Sequence, residues 1–81
     1  MSERPDVVPL SELKPGMTGT VDRLTIEGDQ RRRLLDLGLI PGTVIRAEFI
    51  SPLGDPTSYR IRGALIALRN DQAQQIMVRR S

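Results

Sequence analysis

Neither cysteine nor histidine occurs in this chain of 81 residues. Those two absences exclude much of the side-chain chemistry that enzymes use. No thiolate nucleophile, histidine general base or serine–histidine pair can form. Zinc or copper sites built from nitrogen and sulfur ligands are excluded on the same ground. Disulfide stapling is also out, which fits a reducing compartment. A purely carboxylate site would need clustered acids, yet Asp and Glu are scattered, with no Asp-x-Asp. Aromatics are scarce too: one tyrosine, Tyr59, and one phenylalanine, Phe49. Stacking grooves for nucleic acid or polyproline use several. No apolar run approaches the ~20 residues of a membrane-spanning helix. The opening Met-Ser-Glu-Arg-Pro-Asp lacks the apolar stretch of a secretory signal.

What remains describes one small domain. With 38% hydrophobic and 27% charged residues, the chain has enough apolar surface to fold, around a modest core. Its pI of about 9.9 overstates its basicity. The formal net charge is only +2, and almost nothing titrates between the carboxylates and Tyr59 or Lys14. The choice of cation is more unusual. Lys14 is the sole lysine among 12 cationic residues, and the rest are arginine. Arginine offers a planar fork for carboxylates and phosphates, although an arginine-rich proteome gives the same bias.

Residues 1–7 read as a flexible N-terminus and 8–78 as the domain. Val8, Leu10 and Leu13 suit a short helical turn or a bent segment before the Pro15-Gly16 turn. Met17 to Ile26 reads as a strand. Met17, Gly19 and Val21 share one face, whereas Leu24 and Ile26 fall on the opposite parity, so a bulge is expected near Asp22-Arg23. Thr43 to Ile50 reads as a second strand with Ile45, Ala47 and Phe49 inward. Ser51 to Pro56 is a loop. Tyr59 and Ile61 alternate with Arg60 and Arg62, Gly63 turns the chain, and Leu65–Leu68 is a short apolar strand. Asn70 and Asp71 suit the cap of one helical turn over Gln72–Gln75. Ile76–Val78 closes the domain, and Arg79, Arg80 and Ser81 are expected to fray. The pattern predicts a mainly β domain: a small antiparallel barrel of about five to six strands with one short α-helix.

The most informative stretch runs from Asp29 to Gly42. Asp29 can cap a short helix. Leu34 and Leu37 lie three apart and are expected to face inward, with Leu35 beside them. Gly38 follows as a left-handed stop. Pro41-Gly42 suits a type II turn, with proline at the first central position and glycine at the second. No Gly-Lys-Ser/Thr follows, so this is not a phosphate loop. Arg31, Arg32 and Arg33 fan around the helix by about 200° and cannot all meet one partner.

These motifs resemble the FeoA family, small bacterial cytoplasmic proteins of ferrous iron uptake. Leu10-Ser11-Glu12-Leu13-Lys14-Pro15-Gly16 is similar to the family's opening Leu-x-x-Leu-x-x-Gly. Arg32-Arg33-Leu34-Leu35-Asp36-Leu37-Gly38-Leu39-Ile40-Pro41-Gly42 is similar to its signature. Pro52-Leu53-Gly54-Asp55-Pro56, Ile61-Arg62-Gly63, Ala67-Leu68-Arg69 and Ala73 to Val78 resemble its remaining blocks, in order. The resemblance implies an SH3-like barrel without catalytic activity or cofactor. It implies a partner, the FeoB membrane permease with its cytosolic GTP-binding domain, and a place at the inner face of the bacterial membrane. The same barrel is also found appended to metal-dependent repressors. The family's tie to iron invites a metal-site reading, for which this chain has no soft or imidazole ligand. The expected docking residues are Arg32, Arg33, Leu35 and Leu39, with Asp29, Gly38, Pro41 and Gly42 as structural supports. Self-association through an exposed Leu39 or Leu53 is a further expectation. The alternative function is a small basic nucleic-acid-binding β-barrel, supported by the arginines and weakened by the missing aromatics.

Overall fold

Short apolar runs separated by glycine and proline turns favour strands over helices, and the computed structural model is mainly β. It describes residues 6–80. β1 (Val7–Pro9) leads into a 3-10 turn (Leu10–Glu12). β2 (Thr18–Leu24), α1 (Gly28–Asp36), β3 (Val44–Ile50), β4 (Thr57–Ile61), β5 (Ala64–Leu68), α2 (Asn70–Ala73) and β6 (Ile76–Arg80) follow. Six strands form one antiparallel sheet in the order β1-β6-β2-β3-β4-β5. The core gathers one face of the sheet with Leu10, Leu13, Leu34, Leu39 and Ala73 from the connecting segments.

Two bulges set which residues reach that core. The register of β2 against β6 shifts between Val21 and Arg23, so Val21 and Leu24 both point inward despite opposite parity. This is the break expected near Asp22-Arg23. A second shift, between Ala47 and Phe49 on β3, has no counterpart in the sequence pattern. It turns Phe49 outward, and the side chain expected in the core is 53% exposed. Ile45 and Ala47, before the shift, are buried as expected.

The chain ends are ordered further than the apolar pattern suggests. Residues 1–5 of the expected flexible segment and Ser81 lie outside the described residues. Asp6 accepts a hydrogen bond from the Arg80 N–H at 2.9 Å, and Val7 pairs with Arg79. Arg79 and Arg80, expected to fray, pair with Thr20 and Gly19. Backbone pairing does not depend on side-chain polarity, so an apolar count ends β6 too early. The turn after β5 also differs in its cap. Asn70 and Asp71 lie inside α2, whose N-cap is Arg69, and the Arg69 N–H donates to the Gln72 side-chain carbonyl at 3.1 Å. The Asn70 N–H donates to the Asp55 carboxylate at 2.9 Å, and the Asn70 amide donates to the Gly54 carbonyl at 3.3 Å. The β3–β4 loop is thereby braced against α2.

Tyr59 lies in the core, 1% exposed. Burial disfavours its phenolate and raises the pKa above 10.0; Asp55 adds to the rise, and the Thr57 hydroxyl acts in the opposite sense. A raised pKa in the folded state means stability is intact below the ordinary tyrosine value and is lost as pH climbs through the raised one. An ultraviolet titration of this sole tyrosine should show a midpoint above that of free tyrosine. Tyr59→Phe should remove that alkaline loss. A phenol titrating like free tyrosine in the folded protein would contradict its burial.

Candidate functional site

The candidate site is the outer surface of α1 together with the helix exit that holds it in place. The helix starts at Gly28, with Glu27 as its N-cap and no side-chain capping bond. Asp29 is therefore not the cap. It stands in the first turn, where a carboxylate still complements the helix dipole.

The exit is a Schellman motif. The Gly38 N–H donates to the Leu35 carbonyl at 3.0 Å, and the Leu39 N–H donates to the Leu34 carbonyl at 3.1 Å. Gly38 has φ 104°, in the left-handed region. The reversal folds Leu39 back beneath the helix, where it joins Leu34 in the core, 0% and 1% exposed. This corrects two expectations. Leu39 is not available to a partner. Leu37 does not face inward: as the helix C-cap it is 40% exposed, because Leu39 fills the place it would have taken. Pro41-Gly42 forms the expected turn. Gly42 has φ 96° and the Thr43 N–H donates to the Ile40 carbonyl at 3.0 Å. The Gly42 N–H also reaches the Val21 carbonyl at 2.9 Å, fastening the turn to β2.

Along the outer face of α1, Gly28, Arg31, Arg32, Leu35 and Asp36 line a shallow groove of about 240 Å³. Of the expected docking residues, the fold brings Arg32 and Leu35 together here. Arg33 is exposed on the same helix but does not line the groove. Leu35 is half-buried against the core, so its outer edge forms an apolar floor. Arg31, Asp36 and Gly28 were not singled out as site residues. Gly28 and Arg31 lie seven and four residues before Leu35, and Asp36 four after Arg32, spacings that place them on this stripe. Arg31 also donates from Nη1 to the Leu24 carbonyl at 3.0 Å, tying the groove to the end of β2.

Elsewhere on the surface, Arg46 and Arg60 flank one carboxylate, Glu48, at 3.9 and 3.4 Å, and Arg23 pairs with Asp22 at 2.7 Å. Phe49 is the one exposed aromatic, since Tyr59 is buried. No stacking platform accompanies the arginines. Among the described residues, no three acidic side chains converge on a point that could hold a metal ion, and no helix is long and apolar enough to cross a membrane.

A family model for the FeoA domain matches residues 8–80. The chain belongs to the FeoA family. A FeoA protein from Chlorobium tepidum, solved in solution, is 38% identical with a TM-score of 0.85; the match covers 90% of this chain and 70% of that one. The FeoA of Stenotrophomonas maltophilia, crystallised with zinc and described as a prokaryotic SH3 domain protein, is 27% identical with a TM-score of 0.74, over 85% and 86% of the two chains. A curated relative from Porphyromonas gingivalis is a fusion of Fe(2+) transport protein A with the Fe(2+) transporter FeoB. It is 36% identical over 69 residues, which is 85% of this chain and 8% of the fusion protein. The FeoA family is thus associated with ferrous iron transport, and its SH3-like fold is the one described above.

Gly38 offers a direct test of the exit. A Cβ there would lie 2.9 Å from Arg62 Cδ, a flexible side chain that can move, so the backbone conformation is the larger penalty. Gly38→Val should cost on the order of 1 kcal/mol or more, about 4–8 °C in Tm for a domain this small. Gln30→Ala, on the exposed surface of α1, should change it little. Equal melting temperatures for the two variants would contradict the left-handed cap.

Proposed function

We propose that this chain is a non-enzymatic accessory protein of bacterial ferrous iron uptake. It docks on the cytosolic GTP-binding part of a FeoB-type permease through the outer face of α1. The observation that carries this reading is the fused relative, in which a matching domain shares one polypeptide with FeoB. Fusion holds two modules at high effective concentration, a useful arrangement when they must meet repeatedly. On this reading the chain is cytoplasmic and reaches the inner face of the membrane through its partner.

The groove on α1 suits such a contact. Within it Arg32 offers a forked donor to carboxylates beside the apolar edge of Leu35, and Arg33 offers a second on the neighbouring exposed face of the helix. Arg31 and Asp36 border it and help fix orientation. Gly38, Pro41 and Gly42 act indirectly by holding the helix end against the core.

Co-purification with the cognate permease tests the reading. Wild-type protein should be retained at low salt and released as salt rises, because exposed charge pairs are screened. Arg32→Glu with Arg33→Glu should weaken retention at least tenfold. Leu35→Ser should weaken it at every salt concentration. A folded wild-type protein that is not retained at low salt would overturn the proposal. Retention by a nucleic-acid probe, falling steeply with salt, would instead favour the basic-barrel alternative.

A further inference from the structure

We propose that β5 pairs with the β5 of a second copy of this chain, antiparallel and two-fold symmetric about Ile66. β5 is the last strand at one end of the sheet. Among the described residues its backbone bonds to β4 alone. Arg62 and Gly63, with φ 52° and 84°, make the two-residue turn between Ile61 and Ala64, which are register partners. In such a hairpin the pair beside the turn is hydrogen-bonded, and bonded and non-bonded pairs then alternate. Ala64, Ile66 and Leu68 therefore aim their N–H and C=O groups at β4. Leu65 and Ala67 aim theirs at the open edge.

Native edges are guarded by lysine, proline, bulges or inward-pointing charge. β5 reads Ala-Leu-Ile-Ala-Leu and has none of these. Leu65 is 47% exposed, and Ala64 and Ala67 are exposed beside it. The strand's own pattern identifies its occupant. Reversed about Ile66, Leu65 meets Ala67 of the other copy and Ala64 meets Leu68. On the exposed face a large side chain opposes a small one, Leu65 against Ala67, and at the axis Ile66 meets its own copy. Leu65 and Ala67 then form the hydrogen-bonded pairs, giving about four backbone bonds across the axis. No charge within β5 repels its copy. Just outside it the reversal sets exposed Arg62 of one copy opposite Asn70 of the other, with Arg69 and Asp71 on either side, so the flanking charges are mixed in sign. A two-fold interface needs this kind of self-matching surface; a foreign strand would not.

The test uses the full chain alone, so its outcome is independent of permease docking. Sedimentation equilibrium over rising concentration should show the mass climbing toward twice the 9.0 kDa chain. Leu65→Lys points outward and should keep the native circular dichroism while weakening association at least tenfold. The cysteine-free sequence allows a register test. Ile66→Cys faces its own copy and should give a covalent dimer on mild oxidation, whereas Gln30→Cys on α1 should not. A protein that stays monomeric at every concentration overturns the proposal and leaves the edge to a foreign strand. A dimer that survives Leu65→Lys and is not trapped by Ile66→Cys overturns it too, and moves the interface elsewhere.

Discussion

The rest of the structure depends on how the backbone reverses at Gly38. One left-handed residue lets two amides close back onto the Leu34 and Leu35 carbonyls. The helix end is satisfied, and the chain direction changes within a single residue. Leu39 is carried under α1 to meet Leu34, making the apolar contact that accompanies this motif. The Pro41-Gly42 turn then delivers Thr43 to β2 and starts β3. Without the reversal, α1 would have no fixed angle to the sheet. The groove on its outer face would then be a set of loosely related side chains.

The two bulges act on the sheet as Gly38 acts on the helix. The shift in β2 lets one strand feed Val21 and Leu24 to the same core. The shift in β3 does the reverse and turns Phe49 out near the end of the β3–β4 hairpin. That hairpin is not loose. Ser51 and Pro56 close it through a 3.0 Å backbone bond, and Asn70 grips Asp55 and Gly54. Leu53, 93% exposed, sits at the tip of this braced loop. Arg23, Arg46 and Arg60 on the sheet are paired through Asp22 and Glu48, whereas among the described residues Arg32 and Arg33 on α1 make no ion pair.

Much of this was legible in the residues. Local punctuation carried the helix, the Gly38 stop, the Pro41-Gly42 turn and the β2 bulge, because each rests on a backbone preference of one or two residues. The candidate site was legible in part. Arg32 and Leu35 follow from helical spacing, and the FeoA motifs point to the same stretch. Leu39 escapes helical spacing because the Schellman exit at Gly38 inverts the chain just before it. Phe49 was misplaced because nothing in Ala47-Glu48-Phe49 signals an extra residue; the bulge is set by the pairing partner, β4. The bond from the first N–H of α2 to Asp55 is hidden for a similar reason, since the two lie 15 residues apart in sequence.

The pairing of β1 with β6 has an architectural consequence. Asp6 and Arg80 are hydrogen-bonded neighbours, so the polypeptide enters and leaves the domain at one corner of the sheet. Joining those two points to another protein requires almost no span and little loop-closure entropy. The domain is therefore a cassette by geometry: it can be spliced onto or into a larger chain while its helix face and its free sheet edge keep their relation to each other.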